Sequence, residues 1–412
     1  MKIAIEGCCH SELDAIYREL KRQEEKTQSQ VDVLLIAGDF QAVRNEADLA
    51  CLSVPEKYRK LGDFSSYYSG EKKAPVLTIF VGGNHEASNY LWELYYGGWV
   101  CPNIYYMGAA NIINIGGLRV GGISGIYKEK NYTKGHFEKV PYNMESLKSV
   151  YHVREFEVCK LLNTGRTKPI DIFLSHDWPR GIEKHGDLKR LLSIKPYFFN
   201  DIQNNCLGSA ANERLMNELQ PAYWFSAHLH VKFEAIKIHN VYENWKENMV
   251  EMVKENPDEI DLNDEDDKVI TKIEASHKIT RFLALDKCLP GRHFLEILDI
   301  PTPHEVNEKP ILSYDVDWLA ICRVFHPYFS IEYQQPSLPW DNAYLAREIE
   351  KEKEWVYDHI VQLHGLEIPQ HFEHTAPVVG NAFSAYPPPL YNNPQTEAFC
   401  KMLGIDNKIY QT

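Results

Sequence analysis

Five apolar runs between residues 2 and 230 stop at side chains that bind metals or carry protons, and this recurrence restricts the fold more than any other feature. "KIAIEG" (2–7) leads to Cys8, Cys9 and His10, and "VDVLLIAGDF" (31–40) carries Asp39. "APVLTIFVGGNH" (74–85) ends on Asn84 and His85 with Glu86 next, "PIDIFLSHDW" (169–178) carries His176 and Asp177, and "AYWFSAHLH" (222–230) ends on His228 and His230. Short runs this apolar read as buried strands. Donor side chains at successive strand ends are how a sheet protein gathers a site along one edge.

Further strand patterns cover 118–125, 232–239, 280–288 and 293–300. Between the early ones lies a helical pattern over 11–26, with Leu13, Ile16, Tyr17 and Leu20 on one face and Ser11 placed to cap its start. Strands alternating with helices, then strands running together, predict a layered α/β domain with two sheets between helices.

At 412 residues, 44% hydrophobic and 25% charged, the chain can bury one large core and a second unit. No apolar stretch approaches the ~20 residues of a membrane span, so no membrane partner is expected. Nine cysteines at irregular spacing point to thiols or ligands rather than a disulfide framework. The first residues already form a strand pattern without a signal-peptide layout, which predicts a cytosolic or nuclear address. Net charge is −14, against a general nucleic-acid coat. Residues 243–267 hold eleven acids and two lysines, so 241–276 reads as an acidic insertion. Composition changes after residue 300. "IPTPHEVNEKP" resembles a linker, 346–365 one long helix, and "SAYPPPLYNNPQT" is too Pro-rich for helix or central strand. This predicts a catalytic unit over 1–300 and a smaller, mostly helical C-terminal domain and tail over 301–412.

Each motif has a plain structural reading by itself. A histidine at a strand end can face solvent, "GD" and Asn84 can make turns, and His85 can be a structural histidine steadied by Glu86. "HLH" is more specific, because residues i and i+2 of an extended segment share a face. Cys8 and Cys9 can be half of a disulfide, packed core or metal ligands. Adjacent cysteines bridge only with strain, and Cys9 points away from Cys8. Taken together, the strand ends read as a binuclear metal site.

The ordered set Cys8-x-His10, Gly38-Asp39, "GNHE" (83–86), His176 and "HLH" (228–230) resembles the calcineurin-like metallophosphoesterases. Cys8 stands where that family usually has Asp, and Ala227 where its last motif has Gly. With "GCCH", "AGDFQ", "GGNHEASNYLWELYYGG", "GISGIYK", "KGHFE", "LSHDWP" and "YWFSAHLH", the likeness narrows to the family's RNA lariat debranching branch, over residues 1 to about 300. Ser11 departs from the Gly expected after "GCCH".

The resemblance implies a four-layer α/β/β/α metallophosphoesterase sandwich and two divalent metal ions. Asp39 would bridge them, with Cys8, His10 and His230 on one and Asn84, His176 and His228 on the other. Fe²⁺ and Zn²⁺ are the expected ions, with Mn²⁺ able to substitute, and the Cys8 thiolate softens its pocket toward Zn²⁺. The implied reaction is hydrolysis of the 2′–5′ phosphodiester at the branch point of excised intron lariats, by metal-activated hydroxide with His85 as general acid. This places the chain in mRNA processing and intron turnover, in the nucleus with shuttling to the cytoplasm allowed. Residues 125–165 correspond to a lariat-recognition loop. Tyr127, Lys128, Tyr132, Lys134 and His136 interleave rings with bases there, a pattern suited to single-stranded RNA. Branched RNA is thus the expected partner of a monomer, with no DNA. The competing readings are a metallophosphoesterase of other specificity, such as a protein phosphatase or nucleotide phosphodiesterase, and a non-catalytic branched-RNA-binding protein.

Overall fold

In a computed structural model, the protein is described at all residues except 165–167, 240–277, 304–308, 381–386 and 411–412. The predicted acidic insertion at 241–276 lies outside the described residues, as does part of the predicted linker.

Among the described residues thirteen strands form two sheets: β1 (Lys2–Glu6), β2 (Val33–Ile36), β3 (Leu77–Phe80), β4 (Gly98–Cys101), β5 (Ile104–Tyr106), β6 (Ala110–Ile115), β7 (Leu118–Ile123), β8 (Ile172–Ser175), β9 (Tyr223–Ser226), β10 (Phe233–Ile238), β11 (Ile279–Ala284), β12 (Leu295–Asp299) and β13 (Leu312–Tyr314). One sheet has the order β12-β1-β2-β3-β5-β4 and the other β10-β11-β9-β8-β7-β6-β13.

The pleat explains the layers. Ile3, Ile5, Val33 and Leu35 face inward and meet Val120, Ile172, Leu174 and Phe225 of the second sheet in one core. Their alternates Ala4, Leu34 and Ile36 face outward onto Leu13, Ile16 and Leu20 of the helix Leu13–Thr27. On the far side, Phe173, Trp224 and Phe282 pack against helices Glu155–Leu162, Ala210–Leu219 and Val316–Phe325. Sheets covered on both faces require runs without a polar alternate, and the chain has such runs. The architecture is the predicted α/β/β/α sandwich. No helix among the described residues is long and apolar enough to cross a membrane, and none of the nine cysteines is in a disulfide.

Four strands escaped the sequence pattern: β4, β5, β6 and β13. β4 and β5 are short and pair across a register shift between Trp99 and Cys101. β6 and β7 form a hairpin through Gly116 and Gly117, both at positive φ, the conformation a tight two-residue turn demands. Ser11 does not cap its helix. Glu12 occupies the cap without a side-chain bond, and Ser11 sits at φ 61° with its Oγ accepting from Phe64 N. A left-handed backbone is the conformation glycine tolerates best, which accounts for the position being unusual for serine.

The chain beyond residue 301 shares the core of the sandwich. β13 pairs antiparallel with β6, and Arg119 of β7 is ion-paired to Asp315 at 2.8 Å in a buried setting. The long helix begins at Asn342 and runs to Val356, then continues through a π-turn to His364. The expectation that the Pro-rich tail holds no helix is corrected at its end. Pro394 opens a helix to Leu403, with Asn393 as its cap, because the first turn of a helix needs no N–H from that position.

Candidate metal centre

β1, β2 and β3 run parallel in one sheet, as do β7, β8 and β9 in the other, so their C-terminal ends meet at one edge of the sandwich. The loops leaving β1 and β2 are zipped together: Cys9 N donates to Gly38 O at 3.3 Å and His10 N to Asp39 O at 2.6 Å. From the second sheet, His228 N donates to Cys8 Sγ at 3.3 Å. His10, Asp39, His228 and His230 all adopt left-handed φ, of 48°, 46°, 59° and 50°. Such backbone is costly for non-glycine residues and clusters at sites where tertiary contacts impose it. Glycine permits the closest approaches. A Cβ on Gly83 would stand 2.2 Å from Asp39 Oδ1, and one on Gly38 would stand 2.3 Å from His176 Nδ1.

The structure brings the seven predicted donors together in two groups around Asp39. Asp39 Oδ2 lies 3.7 Å from His10 Nε2, and the donor atoms of Cys8, His10, Asp39 and His230 all fall within 4.8 Å of one another. Asp39 Oδ1 lies 3.3 Å from His176 Nε2, which is itself 3.2 Å from Asn84 Oδ1 and 3.2 Å from His228 Nδ1. One carboxylate therefore faces two nests of nitrogen, oxygen and sulfur donors. The rings are aimed from behind. His176 Nδ1 bonds Ala37 O at 2.8 Å, and His10 Nδ1 meets the Gln41 amide at 3.0 Å, leaving each Nε2 for the site.

Electrostatics fit a cationic occupant. Burial would push the Asp39 carboxyl up, but His176, His10 and His85 hold it well below the usual range. Burial drives the Cys8 thiol well up, and the Asp39 and Glu6 carboxylates add to this, so a thiolate here calls for an adjacent cation. His230 Nε2 is buried without a hydrogen-bond partner among the described residues. A donor set of one thiol, four imidazoles, one carboxylate and one amide suits divalent ions of the transition series. Cys9 points the opposite way, into the core with Leu13 and Ile16.

His85 sits at the rim, half-buried, its ring centroid 5.8 Å from that of His10. Its backbone N–H donates to Asp39 Oδ1 at 2.8 Å, which fixes the ring beside the donors. Glu86 does not steady it. The Glu86 carboxylate accepts from Phe40 N, Gln41 N and Gly83 N at 2.8, 2.7 and 2.9 Å, and so bolts the GNHE turn to the loop carrying Asp39. Burial, with the charge of Asp39, lifts this carboxyl to about 8 despite those bonds. Gln41 and Glu86 are supporting residues whose contacts join separate loops, so spacing could not reveal them.

The predicted RNA contacts divide. Lys128 is exposed, and Tyr127 and Tyr132 are half-buried with ring centroids 5.4 Å apart. Tyr127 N donates to Asp177 Oδ2 at 3.3 Å, which ties this loop to the strand end bearing His176. Lys134 Nζ donates to Asn131 Oδ1 at 3.1 Å and lies 4.4 Å from the Tyr333 ring centroid. His136 is a correction. It is buried, 2.9 Å from Glu157 Oε1 and enclosed by Trp92, Tyr95 and Phe329, because its imidazole pairs with a buried carboxylate rather than facing solvent.

A family model described as calcineurin-like phosphoesterase matches residues 1–232, and one described as lariat debranching enzyme, C-terminal domain, matches residues 277–408. The chain is 42% identical to the lariat debranching enzyme of Schizosaccharomyces pombe, over 99% of this chain and 96% of that protein. It is 46% identical to the Homo sapiens lariat debranching enzyme, over 98% of this chain and 69% of that one. To the Arabidopsis thaliana lariat debranching enzyme it is 43% identical, over 98% and 86%. A likeness that runs through both sheets and on into the C-terminal helices means that the chain belongs to the lariat debranching enzyme family of calcineurin-like phosphoesterases.

Proposed function

We propose that the chain debranches RNA lariats, hydrolysing the 2′–5′ phosphodiester at the branch point of excised introns. The products are a 2′-hydroxyl on the branch nucleotide and a 5′-phosphate on the released end. The observation that carries this is Asp39, whose two oxygens face separate donor nests, each drawing on both sheets.

Cys8, His10 and His230 would hold one divalent ion, Asn84, His176 and His228 the other, with Asp39 shared. When bound, such a pair lowers the pKa of water and stabilises charge on phosphate oxygens. The thiol of Cys8 favours Zn²⁺ in its nest and the harder donors favour Fe²⁺ in the other, with Mn²⁺ able to replace them. His85 gives a proton to the departing 2′-oxygen, which as a bare alkoxide leaves poorly. Tyr127 and Tyr132 offer rings for unpaired bases, and Lys128 a charge for phosphate. The enzyme acts as a monomer on RNA and not DNA, in the nucleus where introns are excised.

The test uses purified protein supplied with Mn²⁺. It should cut a short branched RNA at the 2′–5′ linkage and spare a linear RNA of the same sequence; equal cutting of both refutes the specificity. His85→Ala should still bind branched RNA and lose roughly 10²–10⁴ in rate. A wild-type rate would remove its role as acid.

A further inference from the structure

Lys287 lies beside the metal centre, outside every motif that defines it. It follows β11 in the segment Leu285-Asp286-Lys287-Cys288. There the chain pairs with the loop after β1: Lys287 forms a parallel bridge with Cys8, Cys8 N donates to Asp286 O at 3.4 Å, and Cys288 N donates to Cys8 O at 3.1 Å. Residues opposite each other on adjacent extended strands project their side chains from the same face. The Cys8 thiol faces the donor nest, so the Lys287 side chain rises on that side. Its charge is felt by both neighbouring rings. Burial first, and Lys287 among other groups, lowers the pKa of His10 and His230.

A half-buried lysine is ordinarily neutralised. Here the adjacent Asp286 is taken by Arg292 at 3.2 Å, and Lys287 Nζ has no hydrogen bond or ion pair among the described residues. A cation without a carboxylate partner among the described residues, at the rim of a site that handles a phosphodiester, has a natural counter-ion in the substrate.

We propose that Lys287 is a substrate-contacting residue whose ammonium binds a phosphate oxygen of the branched RNA, at the Cys8–His10–His230 end of the site. This rests on the debranching reading above. The phosphate is either the scissile one or its neighbour along the strand. The shared chemistry is a phosphodiester oxygen.

The test compares wild type with Lys287→Met and Lys287→Arg, all loaded with Mn²⁺ and matched for metal content and melting temperature. Lys287→Met should lower kcat/KM for branched RNA about tenfold or more, and should flatten the plot of log(kcat/KM) against log[salt] by about one unit of slope. Lys287→Arg should keep most of both. Bis(4-nitrophenyl) phosphate, a diester without flanking phosphates, separates the sources. If Lys287 contacts the scissile phosphate, Lys287→Met slows this substrate too. If it contacts a neighbour, only RNA is affected, through KM. Unchanged kcat/KM and salt slope in Lys287→Met overturn the proposal, as does a loss that Lys287→Arg fully shares. Wild-type protein that leaves branched RNA intact would overturn the debranching reading instead, and with it the neighbour-phosphate contact; a slower small-diester rate in Lys287→Met would still support the scissile-phosphate contact, and an unchanged one would overturn it. If Lys287→Met fails to fold or to hold metal, Lys287→Gln replaces it under the same criteria.

Discussion

Gly83→Ala tests whether the closeness of two loops, rather than the mere presence of the donors, makes the site. An added Cβ would stand 2.2 Å from Asp39 Oδ1, 2.9 Å from Asp39 Cγ and 2.4 Å from Asp39 N. Carbon contacts in folded proteins stay above 3.0 Å, so the carboxylate must yield by about 0.8 Å and the backbone by about 0.6 Å. Rotation of the Asp39 side chain cannot relieve the second overlap. The Asp39 backbone is also held by His10 N at 2.6 Å, and the turn is held by Glu86 at Gly83 N, 2.9 Å away. The displacement therefore reaches the carboxylate that both donor nests share. A misplacement of roughly 1 Å at reacting groups costs about 100-fold in rate, and overpacking costs about 1–3 kcal/mol in stability. Gly70→Ala is the control. Its φ is positive, at 82°, a strain Gly83 does not carry, yet its Cβ would meet nothing within 4 Å, so it should lose only ~1–2 kcal/mol of stability and no activity. The assays are debranching rates at saturating Mn²⁺, metal content by elemental analysis, and thermal denaturation. Gly83→Ala within threefold of the wild-type rate and with full metal content would refute the reasoning, as would equal inactivation of Gly70→Ala.

Cys8→Asp should shift bound metal from Zn²⁺ toward Mn²⁺ or Fe²⁺ when the protein is loaded from a mixture, read by elemental analysis; unchanged composition counts against ligation by the thiol. Arg44 is fully buried between Asp48 and Glu93, each 2.8 Å away, and also donates to Thr375 at 2.8 Å. Arg44→Met strands two buried carboxylates and should cost about 3–5 kcal/mol in chemical denaturation, whereas a loss under about 1 kcal/mol would mean the network relaxes freely. Burial, helped by Arg154, Lys128 and Lys130, lowers His152 to about 3, and its Nδ1 sits 2.7 Å from the Asn131 amide. The unfolded chain gains a proton near pH 6.5 that the folded ring refuses until about 3, so stability falls with acidification across that window. His152→Leu should flatten the dependence of melting temperature on pH there; an unaltered slope would mean the ring titrates normally.

Much of this protein is written locally. Runs such as residues 33–36 and 172–174 are apolar at every position because both faces of their sheets are covered, and that pattern survives in one dimension. The donors are legible for the same reason, since each follows its strand directly. What the sequence left open depends on contacts between distant segments. In sequence His136 reads as one more polar residue of a Tyr- and Lys-rich stretch, and only in the fold do Glu157 and three aromatic rings close over it. β13 and the helix from Pro394 carry ordinary patterns, and only pairing with β6 and capping by Asn393 define them. Lys287 becomes notable only through its bridge to Cys8, 279 positions earlier. Which atoms the sequence could place at a strand end was fixed by residue type and period. Which of Asp39's oxygens faces which nest was decided by two sheets packing face to face, because the left-handed turns that aim the donors are held by bonds no single segment contains.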